Sequence, residues 1–166
     1  YMTLVSSLKM NESDSTTCNA LYKCFSDIER IGDHAINIIQ YSTDEDNKLS
    51  SSKYIEDELH QLASLLSKSF SLLSTYSLDS QDECFEKIER IEDRIDELTA
   101  SYRQAQIERL MEKKVNALDC VIYSEILTDV ERVSDHIMNI IQEAKRCNFT
   151  LSDEAMQVSD PALSAV

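Results

Sequence analysis

The chain has 166 residues, enough for one domain and too few for two ordinary ones. With one Gly, one Pro and no Trp it has few breakers, which favours a small number of long helices over a turn-rich β fold. The net charge of -15 argues against nucleic acid as a partner, since a polyanion needs a basic surface to displace its counterions. No apolar run approaches the roughly 20 residues of a membrane span. The five cysteines are odd in number and form no CxxC pair, so reduced, buried thiols in a cytosolic setting are expected, not a disulfide framework or zinc knuckle.

Residues Tyr1 to Lys9 are mixed apolar and read as the tail of a helix that starts upstream. The start at Tyr1, with no initiator Met, leads us to expect a piece of something longer. Asn11 to Thr16 is a polar, capping-rich break. The first long helix is expected from about Ser15 to Tyr41, with Leu21, Cys24, Ile28, Ile31, Ala35 and Ile38 stepping by three and four as a packing seam. Thr43 to Ser52 is an acidic, Ser-rich loop. The second helix begins near Lys53 and buries Ile55, Leu59, Leu62, Leu66, Phe70 and Leu73. A turn at Ser77 to Ser80, with Asp79 or Ser80 as cap, leads into a third helix ending near Met111. Its seam is Phe85, Ile88, Ile91, Ile95, Leu98, Tyr102 and Ala105. After the charged connection Glu112 to Ala117, a fourth helix runs from about Leu118 to Arg146 on Tyr123, Ile126, Val130, Val133, Ile137 and Ile140. Residues 148–166, with Pro161, read as a frayed tail.

The last three helices, joined by short loops, predict an all-α, up-down-up antiparallel bundle. The first is a second copy of the fourth. Asp27-Ile28-Glu29-Arg30-Ile31-Gly32-Asp33-His34-Ala35-Ile36-Asn37-Ile38-Ile39-Gln40 returns as Asp129-Val130-Glu131-Arg132-Val133-Ser134-Asp135-His136-Ile137-Met138-Asn139-Ile140-Ile141-Gln142. The two seams coincide at the same offset. Either the first helix packs on the bundle as a fourth member, or its own partners precede Tyr1, or a dimer supplies them.

A solvated face drifts freely, so the retained polar identities imply a job. Glu29 and Asp33 sit one helical turn apart beside the apolar seam, with Asn37 continuing the row, and Glu131, Asp135 and Asn139 repeat it. The third helix carries a partial copy: Glu89 with Asp93, and Glu92 with Asp96, are again four apart. Such rows on neighbouring helices can converge oxygen ligands on a divalent or trivalent cation. The bland alternative is a solvated face, or carboxylates paired with Arg30, Arg90 and Arg132. His34 and His136 point about 100° away from the acidic row and read as surface or half-buried histidines. They lack the Glu-x-x-His spacing of a ferritin-like di-iron site, and Asp57-x-x-His60 has it only once, so a redox metalloenzyme is disfavoured. Small residues at Gly32 and Ser134 suggest close approach of a helix or ligand, or simple tolerance. The single Gly excludes a phosphate-cradling Gly-rich loop.

Ile28-Glu29-Arg30-Ile31-Gly32-Asp33-His34-Ala35-Ile36-Asn37-Ile38 resembles the ERIGDHAxNI signature of PhoU-like proteins, and Val130 to Ile140 is similar to its second copy, with Ser134 in place of Gly. The resemblance spans about Tyr1 to Arg146. It implies two similar three-helix bundles, each with a metal-binding motif on its last helix, acting in phosphate uptake beside a transporter and a histidine kinase. It also implies the fused form in particular, the cytoplasmic tail of bacterial sodium/phosphate cotransporters. Residues 1–42 would close a truncated first bundle, and 53–147 would form a complete second one.

By match to that motif, the metal-ligand candidates are Glu29 and Asp33, then Glu131 and Asp135, with Glu92 and Asp96 on the middle helix. The second set is the better placed, because the facing helices of the first bundle are absent. The expected cofactor is Fe, Zn, Mn or Mg. The expected partner is a phosphate transporter membrane domain in cis or in trans, at the cytoplasmic face of the membrane, with a homodimer as a further possibility. The leading expectation is thus a non-enzymatic, metal-binding regulatory domain. The alternative is a helical adaptor that dimerises a membrane protein without metal.

Overall fold

The computed structural model describes residues 12–43, 49 and 52–148. The expectations for Tyr1 to Lys9, for most of the Thr43 to Ser52 loop and for the tail beyond Asn148 lie outside them. The described residues form four helices, α1 (Glu12–Thr43), α2 (Lys53–Ser74), α3 (Gln81–Met111) and α4 (Ala117–Cys147), with a 3-10 turn at Leu78–Ser80. The all-α antiparallel bundle read from the sequence is the fold observed. The α1 helix begins inside the polar stretch expected to break it, and Ser80 stands at the start of α3 without a side-chain capping bond.

The α4 helix is the axis of the molecule. Asn116 caps its start by accepting the Asp119 backbone N–H at 2.8 Å, and Asn148 ends it in the left-handed conformation at φ 52° that Asn tolerates. Acidic Asp119 in the first turn and basic Lys145 and Arg146 in the last suit the helix dipole. All six residues of its expected seam are buried, and so are Ile122, Leu127, Met138, Ile141 and Ala144 around them. A helix apolar on so wide an arc is wrapped by neighbours on several sides.

On one side α2 and α3 pack in two apolar clusters. One gathers Tyr76, Cys84, Ile88, Val133, Ile137 and Ile141, and the other Ile55, Leu62, Ile95, Leu98, Tyr123 and Leu127. Along α2 the buried stripe shifts by one residue at its end: Ser69 is buried and Phe70 is exposed. At the far end of this bundle Glu58 accepts from both Arg109 guanidinium nitrogens at 2.5 and 3.1 Å and from the Tyr123 hydroxyl at 2.6 Å. The Arg109 guanidinium also lies 4.1 Å from the centre of the Tyr54 ring. Burial and the Glu58 carboxylate push the Tyr123 hydroxyl far above its usual range, so it stays a proton donor.

On its other side α4 meets α1, antiparallel and along most of its length. Here the expected seam of α1 fails in part. Cys24 is buried and Ile31 and Ile38 are half-buried, but Leu21, Ile28 and Ala35 are exposed. The reason lies in the duplication. Exposed Leu21, Phe25, Ile28, Ile36 and Ile39 occupy the repeat positions of Tyr123, Leu127, Val130, Met138 and Ile141. Those five α4 residues are all buried, several of them against α2 and α3. The α1 helix therefore carries a core face for which the described residues provide no helix pair.

Candidate functional site

The duplicated polar residues divide between two tasks, set by the direction each points from its helix. Asp27, His34 and Asn37 of α1 face Asp129, His136 and Asn139 of α4 reciprocally. The His34 Nδ1 lies 2.7 Å from Asp129 Oδ1, and the His136 Nδ1 lies 2.8 Å from Asp27 Oδ1. A carboxylate only accepts, so each imidazole donates from Nδ1. Asn37 and Asn139 donate to the same two oxygens, each at 3.4 Å. The two rings stack on one another with centroids 5.6 Å apart. This is a latch with approximate two-fold symmetry. His34 is half-buried, within the reading of surface or half-buried histidines, and that reading is corrected for His136, which is buried. The signal missed was Asp27 and Asp129, two repeated acids outside the four-residue spacing.

The acidic row points elsewhere. Glu131 and Asp135 of α4 face Glu92 and Asp96 of α3. Burial, then Asp96, Asp93 and Asp135, raise the Glu92 carboxyl above its ordinary range. Burial, then Glu131 and Asp135, raise Asp96 likewise, with Arg103 pulling the other way. The four carboxylates thus share one electrostatic neighbourhood across the α3–α4 groove. Glu131 is distinct from the rest. The Arg103 fork donates to its two oxygens at 2.6 and 2.7 Å, and the Thr99 hydroxyl donates to it as well. Burial opposes its charge, but these donors prevail and hold it below the usual carboxylate range. Among the described residues Asp135 is met by Arg132 of its own helix, at 3.4 Å.

Oxygen donors alone are the ligand type a hard or borderline cation takes, and burial with neighbouring negative charge raises two of these carboxyls. In donor chemistry the set fits a cation. Its conformation is not a finished cage: among the described residues no three His, Cys, Asp or Glu side chains converge tightly enough to hold a metal ion. Glu131 is turned onto Arg103. Glu29 and Asp33, on the exposed side of α1, are brought to no acidic partner helix among the described residues. Nor is Gly32 demanded by packing, because a Cβ there would meet nothing within 4 Å, whereas Ser134 is buried. The sequence named Arg30, Arg90 and Arg132 as counter-charges and passed over Arg103 and Thr99, which lie outside any repeat.

A bundle closed by a duplicated acidic helix, latched copy to copy and bearing a carboxylate groove, is a class defined by its helix-closing motif. The family model for the PhoU domain matches residues 57–144, more than half of the chain, and the chain belongs to that family. It is similar to the phosphate-specific transport system accessory protein PhoU homolog 1 of Thermotoga maritima, 28% identical over 126 residues, covering 74% of this chain and 53% of that protein. It is also similar to the phosphate-specific transport system accessory protein PhoU homolog of Deinococcus radiodurans, 24% identical over 125 residues, covering 75% of this chain and 58% of that protein. The chain thus spans just over half the length of the curated relatives it matches. No solved structure matches it.

Proposed function

We propose that this chain is a non-enzymatic regulatory domain for phosphate transport that binds a divalent or trivalent cation between α3 and α4. Family membership and the names of its relatives support the transport role. The observation that carries the cation is the groove of Glu92, Asp96, Glu131 and Asp135, two of whose carboxyls are raised by burial and by one another. Glu92 and Asp96 would enter from α3, Glu131 and Asp135 from α4, and a bound cation would supply neutralisation and cross-link the helices. No helix among the described residues is long and apolar enough to cross a membrane, so a transporter partner would contribute the spans. In this reading the domain works at the cytoplasmic face, as the tail of a sodium/phosphate cotransporter or as its separate partner. Residues 1–42 then close one bundle and 53–147 form the next.

The test is a melting series with Fe³⁺, Zn²⁺, Mn²⁺ and Mg²⁺. At least one ion raises the melting temperature of the native chain, and the Glu131→Ala, Asp135→Ala double variant abolishes that rise. Melting curves unchanged by every ion would overturn the cation reading. A second reading, a metal-free adaptor that dimerises a membrane protein, is favoured by the exposed apolar face of α1. It predicts a mass that rises with concentration and is indifferent to chelators.

A further inference from the structure

Glu131 matches a ligand position of the family motif, yet its oxygens are already taken. Arg103 meets it with two parallel N–H···O bonds at 2.6 and 2.7 Å, and the same guanidinium is tied to the Thr128 hydroxyl at 3.0 Å, which fixes its plane. The Thr128 hydroxyl in turn bonds back to the Ser124 carbonyl at 3.0 Å, anchoring the assembly on α4. A bidentate guanidinium–carboxylate pair of this kind is the strongest ion pair a side chain makes, and a planar fork specifies geometry as well as charge. The Arg103 charge also reaches Asp96. Part of the acidic groove is therefore filled by a cation belonging to the protein itself, while Asp135 has only a single 3.4 Å contact from Arg132 and Glu92 receives no guanidinium fork among the described residues. A divalent ion and the Arg103 fork cannot use both Glu131 oxygens together.

We infer that Arg103 is a built-in competitor for the cation: loading the groove requires Glu131 to leave the guanidinium, and Arg103 thereby sets the cation concentration to which the domain responds. The inference rests on the cation reading above and adds a residue that the acidic motif does not contain. With Arg103 in place the groove ignores weakly bound, abundant ions. Without it four carboxylates face each other with one fewer positive charge, and affinity for any divalent ion rises.

The test is calorimetric titration of Mn²⁺ into the native chain, Arg103→Gln and Arg103→Lys, with far-ultraviolet circular dichroism to confirm the helical fold of each. Arg103→Gln should bind Mn²⁺ at least tenfold more tightly than the native chain. Arg103→Lys, which keeps the charge and loses the fork, should fall between them. If Arg103→Gln fails to fold, the Lys variant decides alone: tighter binding than native supports the competitor, and equal or weaker binding overturns it. Native binding with an unchanged or weaker Arg103→Gln overturns the role of Arg103 and leaves the site standing. No Mn²⁺ binding by folded native and Arg103→Gln chains overturns the site and the competitor together.

Discussion

Glu92 and Asp96 are held folded at a cost that the unfolded chain does not bear, because burial and neighbouring carboxylates raise both. A raised carboxyl binds its proton more tightly in the folded state. The stability it contributes is therefore lost as pH climbs through the raised values, and the penalty is complete at pH 7. In the absence of divalent ions, Glu92→Gln and Asp96→Asn should each raise the melting temperature at pH 7 by about 1 °C. That corresponds to relief of a few tenths of a kcal/mol of like-charge repulsion. The gain should vanish as pH falls well below the ordinary carboxylate range, where the native groups are protonated in either state. Glu131 behaves oppositely: its lowered value makes the Arg103 pair stabilising above the ordinary Glu range, and that contribution is lost as pH falls through the lowered value. The latch gives a second expectation. Asp27→Ala leaves the buried His136 Nδ1 without an acceptor and should cost about 1–3 kcal/mol in urea unfolding. A double-mutant cycle with His136→Ala should return a coupling of about 1 kcal/mol or more, and additive losses would show that the contact carries no weight.

Among the elements, α1 and α4 share a sequence pattern and differ in surroundings, and substitutions at matched positions separate the two. Leu127→Ala removes a fully buried side chain from the α2–α3–α4 core and should cost about 2–5 kcal/mol. Phe25→Ala, at the equivalent position on the open face of α1, should change the stability of this chain by no more than about 0.5 kcal/mol. A loss at Phe25 comparable to that at Leu127 would mean the face is covered in solution. This contrast also marks what was legible beforehand. Periodicity placed each described helix to within a few residues and identified the α4 seam completely, because that helix is surrounded. On α1 the same periodicity marked Leu21, Ile28 and Ala35 as packed, since a repeat records which face is meant to be buried and not what stands against it. Spacing likewise marked Glu92, Asp96, Glu131 and Asp135 by their four-residue rhythm, and these four lie near one another between α3 and α4. It could not find Arg103, which reaches Glu131 across the gap between two helices, nor the crossing of Asp27 to His136 and Asp129 to His34.

For the molecule as a whole, the helix-closing repeat does two things at once. Its Asp, His and Asn hold α1 and α4 together along their shared length, and its Glu and Asp rows are turned outward to whichever helix lies beside each copy. Beside α4 that helix is α3, which answers with Glu92 and Asp96. Beside α1 no such helix is present among the described residues, so the proposed cation site lies in the α3–α4 groove alone. The most direct test is an anomalous difference map from crystals of the Mn²⁺-loaded chain, collected at the manganese edge. The account predicts a peak in the α3–α4 groove within bonding distance of carboxylate oxygens from Glu92 or Asp96 and from Glu131 or Asp135. It also predicts that the Arg103 guanidinium is displaced from Glu131. Manganese found only on the outer face of α1, or a groove without a peak and with the Arg103–Glu131 pair intact at saturating Mn²⁺, would contradict it.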